Sequence, residues 1–255
     1  MSGNMENKKL KIIGISDTHG MLPKLPECDV VCHCGDFSPL EYQQDQTQMA
    51  AWFYLEFLPW LEKLPCKKFI MVAGNHDFFF ENIHKRIKSV TPEYTEYTWR
   101  SASDVMKKLF PGNLRRVYNK FVYLCDSSFE YEGKRFYGTP YIRDLKSWAF
   151  YLSDDLLLEK FKNIPKKCDV ILTHMPPKID GLGEVIQRGC FNTGANYGSP
   201  ELTDILQTRD FKYLLCGHIH SGQHLPVEIG DKKLANVSLK NEDYKEQYYP
   251  FEFEI

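Results

Sequence analysis

The sequence predicts an α/β protein in which βα units come first and last, with antiparallel ribbons mixed in. Three observations lead to this prediction. Short apolar runs rich in Val and Ile, typical of buried strands, recur along the chain. Helix-capping patterns lie between several of these runs. Paired strand-like segments joined by Gly-containing turns occupy the middle and the end of the chain.

Five apolar runs have the length and composition of buried strands. They cover residues 9–16, 29–34, 68–73, 168–172 and 212–216, and each is followed by a short polar cluster. Open α/β sheets gather their ligand-binding groups at the carboxyl ends of strands. We therefore expect the five clusters to meet in space.

Helices and ribbons fill the intervals. Residues 45–64 carry apolar side chains on one helical face, although Pro59 should kink or shorten that helix. Ser153 is a suitable N-cap for residues 154–161, and Ser199-Pro200-Glu201 opens another helix. Strands are expected at 121–126, 129–131, 135–137, 227–229 and 233–237, with turns at Glu132-Gly133 and Gly230-Asp231.

Composition limits the class of protein. A net charge of −2 without basic stretches makes nucleic acid an unlikely partner and weakens nuclease functions. No apolar segment is long enough to span a bilayer, and the polar start lacks a secretory pattern. Eight scattered cysteines suit a reducing compartment, so we expect a cytoplasmic protein. No linker is visible, so we expect one domain over residues 8–255 and a disordered segment over 1–7; the oligomeric state stays open.

The polar clusters carry the functional signal. In chain order they are Asp17-Thr18-His19, Gly35-Asp36, Gly74-Asn75-His76-Asp77, Thr173-His174 and Gly217-His218-Ile219-His220. Each alone could be a turn or a cap, but together they offer carboxylates, an amide and imidazoles, which suit Mn, Fe or Zn over Ca. Glycines directly before ligand candidates permit sharp turns and close approach of the backbone. The set indicates a two-metal site.

Such a site fits phosphate ester cleavage. The reaction needs a nucleophile, neutralised charge on the phosphoryl oxygens and a proton for the leaving oxygen. Two metal ions about 3.5–4 Å apart can supply the first two needs. A histidine beyond the metal ligands is needed for the third, and an acid beside it would fix its tautomer.

The ordered motifs resemble those of the calcineurin-like metallophosphoesterase superfamily: D-x-H, G-D-x, G-N-H-[DE], H and G-H-x-H. Further segments are similar to the small stand-alone branch of metallophosphoesterase-domain-containing (MPPED) proteins: Gly138-Thr139-Pro140, Trp148-Ala149-Phe150, Thr173-His174-Met175-Pro176-Pro177 and Asn236-Val237-Ser238. The similarity runs from Leu10 to the C-terminus. It implies two mixed β-sheets packed as a sandwich flanked by helices, a four-layer fold with metals at one edge.

The resemblance also implies roles for the residues. One metal would be held by Asp17, His19, Asp36 and His220. The other would be held by Asp36, Asn75, His174 and His218, with Asp36 bridging. His76 would act as general acid and Asp77 would orient its imidazole. Mn²⁺ is the expected metal, with Fe, Zn or Mg as alternatives.

Two departures from relatives narrow the expectation. Some vertebrate MPPED relatives have Gly at the position of His218, so its presence here predicts a competent metal pair. The second motif continues into Phe37-Ser38-Pro39-Leu40 and not into the Asp-Arg-Gly of protein Ser/Thr phosphatases. That difference argues against a protein-phosphatase role.

We therefore expect a metal-dependent phosphodiesterase acting on a small nucleotide such as a cyclic one, through a hydroxide that bridges the metals. A phosphomonoesterase, a nucleotide pyrophosphatase and a nuclease of the same fold are alternatives. An alternative of another class is a low-activity, metal-stabilised binding or scaffold protein, against which the complete ligand set speaks.

Several residues outside this set have two interpretations. Cys32-His33-Cys34 invites a zinc interpretation, but buried strand residues fit better. His84 and His224 are expected at the surface or near the site, with contact to substrate as an alternative for His224. Arg143 is expected as an exposed residue or a phosphate clamp. The segment from Asn192 to Ser199 is a connector or a lid. The aromatic residues that follow the third cluster form core or a base-stacking wall: Phe78, Phe79, Phe80, Tyr94, Tyr97 and Trp99.

Overall fold

Two mixed β-sheets form the centre of the protein in the computed structural model. The structure describes residues 9–90, 117, 119–186, 193–222 and 224–255, with the backbone alone for 86–90. The expected disorder of residues 1–7 lies outside the described residues. The α/β class predicted from the apolar runs is confirmed.

The first sheet has five strands in the order β11-β1-β2-β3-β4. They are β1 (Lys11–Ile15), β2 (Cys28–Cys34), β3 (Cys66–Val72), β4 (Phe121–Tyr123) and β11 (Phe251–Glu254). The first four run parallel, and β11 pairs antiparallel with β1 at the edge. The apolar runs predict β1, β2 and β3, and the strand expected at 121–126 corresponds to β4, whereas the short alternating β11 was not predicted.

The second sheet has six strands in the order β5-β6-β7-β8-β10-β9. They are β5 (Ser127–Tyr131), β6 (Lys134–Thr139), β7 (Val170–Thr173), β8 (Tyr213–Cys216), β9 (Val227–Ile229) and β10 (Lys232–Asn236). Both predicted hairpins are confirmed, β5 with β6 and β9 with β10. Glu132 and Gly133 turn the first hairpin with φ angles of 48° and 72°, as a two-residue hairpin turn requires.

Side-chain alternation packs the two sheets face to face. Ile12, Val30 and Ile70 of the first sheet belong to the same buried cluster as Val170 and Leu215 of the second. Their neighbours in the strands point to the opposite faces, where helices cover them. The layers are therefore helix, sheet, sheet and helix, which confirms the four-layer sandwich.

The helical segment that contains Pro59 is not shortened there. It consists of α1 (Gln46–Trp52), a π-helical turn (Phe53–Phe57) and α2 (Leu58–Lys63), and the backbone stays helical throughout. The amide of Leu58 donates to the carbonyl of Phe53 five residues earlier. A π-turn directly before a proline lets the chain continue without the missing N–H, so the helix is not shortened at Pro59, and the irregularity there takes the form of the π-turn.

Three further helices complete the outer layers. They are α3 (Phe78–Val90), α4 (Asp154–Phe161) and α5 (Pro200–Leu206). Ser199 caps α5 by accepting from the amide of Leu202, as expected, whereas Ser153 precedes α4 without a capping side-chain hydrogen bond. The sequence did not predict α3. Among the described residues, no helix has the length and apolar character needed to cross a membrane.

Candidate metal centre

The five polar clusters meet where the parallel strands of both sheets end. Asp17 and His19 follow β1, Asp36 follows β2, and Asn75 follows β3. His174 follows β7 in the second sheet, and His218 and His220 follow β8 in the same way. All seven predicted ligands therefore lie together, and all but the half-buried His218 are buried.

Asp17, His19 and His220 form one group, here called the first half-site. Nε2 of His220 lies 3.3 Å from Nε2 of His19 and 3.2 Å from Oδ1 of Asp17. Donors bound to one ion at about 2.1 Å stand roughly 3 Å apart. The first half-site could hold such an ion with little rearrangement.

Asn75, His174 and His218 form the second half-site. Oδ1 of Asn75 lies 2.9 Å from Nε2 of His174 and 2.8 Å from Nδ1 of His218. One amide oxygen and two ring nitrogens thus face a common point. These distances also match donors around a single cation.

Asp36 lies between the half-sites. Its Oδ2 is 3.4 Å from Nε2 of His174. Its carboxylate also belongs to two groups of potential ligand atoms, and within each group all atoms lie within 4.8 Å of one another. One group contains Asp17 and His174, and the other contains His19 and His76. Asp36 is therefore placed to be shared by two ions.

Backbone carbonyls fix the tautomers of two imidazoles. Nδ1 of His174 donates to the carbonyl of Cys34 at 2.8 Å, and Nδ1 of His220 donates to the carbonyl of Asn241 at 2.9 Å. A carbonyl only accepts, so each Nε2 is left to face a carboxylate oxygen. Two acceptors that face each other require a proton or a cation between them, so these residues fit divalent metal ions.

The charges of the site reinforce this fit. Burial alone would lower the pKa values of His174 and His220, but the carboxylates of Asp36 and Asp17, respectively, raise both to about 9. Burial lowers the pKa values of His19 and His218 to about 3. The same negative charge that favours two protonated imidazoles would favour cations bound to the same ring nitrogens.

The loops that carry the ligands are tightly turned. Asp17, His19, Asp36 and His218 have φ angles of 53°, 42°, 57° and 72°. Non-glycine residues in this region are uncommon and concentrate at functional sites. Gly35 has a φ of 98°, and a Cβ there would stand 2.6 Å from Nδ1 of His174. The expectation that glycine permits close approach at this turn is confirmed.

His76 stands beside Asp36 but has a different partner from the predicted one. Its Nε2 lies 3.8 Å from Oδ2 of Asp36, and its Nδ1 contacts Oε1 of Gln43. Nothing in the sequence marks Gln43, which lies in a loop without a motif. Burial lowers the pKa of His76, an effect that the charge of Asp36 opposes.

Asp77 does not orient the imidazole of His76 in the structure, so this expectation needs correction. Its buried carboxylate accepts hydrogen bonds from the amides of Gly74 (2.7 Å), Asp36 (2.9 Å) and Ser38 (3.1 Å), and from the Ser38 hydroxyl (2.7 Å). Adjacent side chains point apart, and that of Asp77 turns inward to join two ligand loops. Burial and the charge of Asp36 raise its pKa to about 7.

Comparison with known proteins identifies the family. The family model described as Calcineurin-like phosphoesterase matches residues 10–222. The chain belongs to the calcineurin-like phosphoesterase family. It is a metal-dependent phosphoesterase, a hydrolase of phosphoester bonds.

Relatives and solved structures agree with this assignment. This phosphoesterase is 28% identical to a UPF0046 protein of Caenorhabditis elegans, over 97% of this chain and 81% of the relative. It is 28% identical to metallophosphoesterase domain-containing protein 1 of Homo sapiens, over 92% and 68% of the two chains. These similarities are consistent with the MPPED-type branch that the motifs resemble. A solved structure with 14% identity matches 92% of each chain with a TM-score of 0.55, which shows a shared fold.

Two aromatic rings lie beside the candidate metal centre of this phosphoesterase. The ring centroid of Trp148 lies 4.4 Å from that of His76. Tyr244 lies 4.9 Å from His19 and 5.2 Å from His220. The sequence did not single out either ring as part of the site, because the chain brings both in from distant loops.

The predicted aromatic wall is placed differently. Phe79 and Phe80 are buried in the core of the phosphoesterase, and Phe78 lies 6.1 Å from Trp148. Tyr94, Tyr97 and Trp99 lie outside the described residues. Of the predicted wall, only Phe78 therefore lies near the site within the described part of the chain.

The cysteine-flanked His33 is a buried strand residue, as expected. Its ring contacts the hydroxyl of Thr18 at 3.1 Å and accepts from the amide of Gly35 at 3.2 Å. His84 is also buried, not at the surface, with its Nδ1 3.8 Å from Sγ of Cys125.

Arg143 and His224 both have partners within the protein. Arg143 is only 18% exposed and pairs with carboxylates of Asp144, Asp154 and Glu201, so neither an exposed residue nor a phosphate clamp describes it. His224 donates to the carbonyl of His220 at 2.9 Å and stacks on Tyr248.

The segment proposed as a lid or connector is partly described. Asn192 lies outside the described residues, and Asn196 pairs in a β-bridge with Glu184. The amide of Tyr197 donates to the carbonyl of Gly183 at 2.8 Å. The described part is thus hydrogen-bonded to the preceding loop.

Proposed function

We propose that this phosphoesterase hydrolyses small phosphodiesters such as cyclic nucleotides, with two divalent ions, Mn²⁺ first among them. One observation carries the proposal: two half-sites converge on Asp36, and a further imidazole stands beside it, outside both. The proposed ligands are Asp17, His19 and His220 for one ion, Asn75, His174 and His218 for the other, and Asp36 for both. Ions bound there would neutralise charge on the phosphoryl group and activate a water molecule as the nucleophile.

His76 is the proposed proton donor to the leaving oxygen. Its Nδ1–H donates to Gln43, so Nε2 is directed toward Asp36, where the phosphoryl group would lie. The negative charge of a bound phosphate favours the protonated ring, which then carries a proton on Nε2 as well. A phosphodiester needs this donor because its alkoxide leaving group is a strong base.

The surroundings of His76 favour a small substrate with a planar group. The ring centroid of Trp148 lies 4.4 Å from that of His76, and the ring centroid of Tyr244 lies 4.9 Å from that of His19. A base or another ring could stack against them. The net charge of −2 gives no attraction for long nucleic acid.

Hydrolysis of bis-p-nitrophenyl phosphate with added Mn²⁺, before and after chelation, tests the proposed reaction. We expect activity that chelation removes and Mn²⁺ restores. Activity untouched by chelation would contradict the mechanism. A panel of cyclic nucleotides, nucleoside monophosphates, dinucleotides and DNA then separates the phosphodiesterase from its alternatives. Slow turnover of every substrate with both ions bound would favour a binding or scaffold protein.

The leaving group provides a sharper test of His76. Substitution His76→Ala should keep the metal content and lower turnover of a cyclic nucleotide by about 10²–10⁴-fold, since the departing alkoxide loses its proton donor. With p-nitrophenolate, which leaves readily as an anion, the same substitution should cost much less. Equal losses for both leaving groups, or loss of metal, would exclude this role for His76.

A further inference from the structure

A cavity of about 600 Å³ lies beside the catalytic edge and shares Trp148 with it. Its volume is in the range of sites that hold small molecules. Five aromatic residues line it: Phe78, Tyr141, Trp148, Phe150 and Tyr151. The walls therefore offer apolar ring surfaces next to a centre that handles phosphate.

Trp148 connects this cavity to the catalytic imidazole. The centroid of its ring lies 4.4 Å from the ring centroid of His76 and 6.1 Å from that of Phe78, which lines the cavity. Trp148 is half-buried, so part of its ring faces open space. A ligand that touches this ring lies within reach of a phosphate held at Asp36.

Hydrogen bonds fix the cavity wall to the catalytic loops. The amide of Ala149 donates to the carbonyl of Asn75 at 3.2 Å. The amide of Phe150, which has a φ of 57°, donates to Oε1 of Glu81 in α3 at 3.1 Å. The wall is thus positioned in advance relative to a proposed metal ligand, which lowers the cost of ordering a ligand there.

Among the described residues that line the cavity, one lysine lacks an ion-pair partner. Lys85 pairs with Glu81 at 2.7 Å, and Lys160 pairs with Asp126 at 2.8 Å. The exposed Lys146 has no ion-pair partner among the described residues. A ligand with an acidic group would supply that partner.

We propose that this cavity binds a planar ring of the substrate that bears a second acidic group, such as a carboxylate or a further phosphate. Trp148 stacks on the ring and Lys146 pairs with the acid. This inference rests on the proposed function, because it takes the scissile phosphate to lie at Asp36. It narrows the substrate class to aryl or heteroaryl phosphodiesters with an additional negative charge.

Three diesters with the same p-nitrophenol leaving group test the proposal on the Mn²⁺-loaded full chain. Their second ester groups are methyl, phenyl and 4-carboxyphenyl, so only the group bound in the cavity changes. We expect kcat/KM for the phenyl ester to exceed that for the methyl ester by about tenfold. The carboxylate should add about threefold. Equal values for all three esters would overturn the proposal.

Variants assign these preferences to residues. Trp148→Leu should bring the phenyl-to-methyl ratio close to one, and Trp148→Phe should keep most of it. Lys146→Gln should remove the carboxylate preference alone. The control Lys167→Gln replaces an exposed lysine that lies outside the cavity lining and should leave both ratios unchanged. Ratios in Trp148→Leu that equal those of the wild type would exclude stacking on this ring.

Binding without turnover separates this proposal from the proposed function. If no diester is hydrolysed, the proposed function fails, and calorimetry with phosphate monoesters still tests the cavity. We expect 4-carboxyphenyl phosphate to bind about thirtyfold more tightly than methyl phosphate, and Trp148→Leu to leave only the threefold effect of the carboxylate. Equal affinities would overturn the assignment of the cavity.

Discussion

The two half-sites resemble each other in geometry and differ in charge. Each brings two imidazoles and one oxygen ligand to a point beside Asp36. The first uses the carboxylate of Asp17, whereas the second uses the neutral amide of Asn75. Because the affinity of a site for divalent cations rises with the number of charged ligands, the first half-site should hold its ion more tightly.

Accessibility adds to this difference. The three ligands of the first half-site are all buried, and Tyr244 packs against both of its imidazoles. In the second half-site Asn75 and His174 are buried, but His218 is half-buried. The comparison teaches that charge and burial favour the same half-site within one centre. The first ion should be held tightly and exchange slowly, and the second should be weaker and leave first.

Loss of the shared carboxylate should have the largest effect. Asp36→Asn removes the charge that both ions would use, so we expect at least one ion to be lost and turnover to fall to background. Metal content after gel filtration, measured by elemental analysis, checks this result. Retention of both ions would show that the half-sites do not depend on Asp36.

Gln43→Ala should lower kcat by about 10–100-fold with both ions retained, because His76 loses the group that orients it. The matched substitution Asp77→Asn should act on folding, with a loss of about 1–3 kcal/mol in the free energy of unfolding. Turnover and urea unfolding of both variants check these outcomes. A reversed pattern would restore Asp77 as the residue that orients His76.

Ser238→Ala should weaken metal binding in the first half-site by about tenfold. The hydroxyl of Ser238 donates to Oδ2 of Asp17 at 2.7 Å and orients that carboxylate. Ser221→Ala is a matched control, since this buried hydroxyl has no hydrogen-bond partner among the described residues. Chelator competition should show a lower affinity for one ion alone. An equal loss of affinity for both ions would contradict the distinction between the half-sites.

Asn75→Asp should strengthen binding of the second ion modestly, by about fivefold, because it gives this half-site the carboxylate that the first one has. The two ions should then leave together during chelation, whereas in the wild type they leave in two steps. Time-resolved chelation with a metal indicator measures this difference. Single-step loss from the wild type would refute the proposed inequality.

The sequence predicts which candidate ligands the fold brings together, because these residues lie in short motifs at strand ends. Strand ends are local features, and the order of the motifs carries the family resemblance. The strands themselves are readable from apolar runs such as the one that forms β3. Each motif follows the carboxyl end of a parallel strand, and the fold brings these strand ends close together.

Partners across loops could not be predicted in the same way. Asp77 is adjacent to His76 in sequence, yet Nδ1 of His76 contacts Gln43, which lies thirty-three positions earlier in the chain. Side chains adjacent in sequence point in different directions, and the positions of the loops determine which distant residue contacts the imidazole of His76. The strand β11 was missed for a similar reason, because its partner β1 lies at the other end of the sequence.

That pairing has a practical consequence for handling the protein. The strand β11 covers the outer edge of β1, which leads directly into Asp17 and His19. Removing residues 251–255 would leave the amides and carbonyls of β1 open to pairing with other molecules, a common start of aggregation. Fusion partners for purification therefore belong at the opposite terminus, where the attached chain does not pull on this strand.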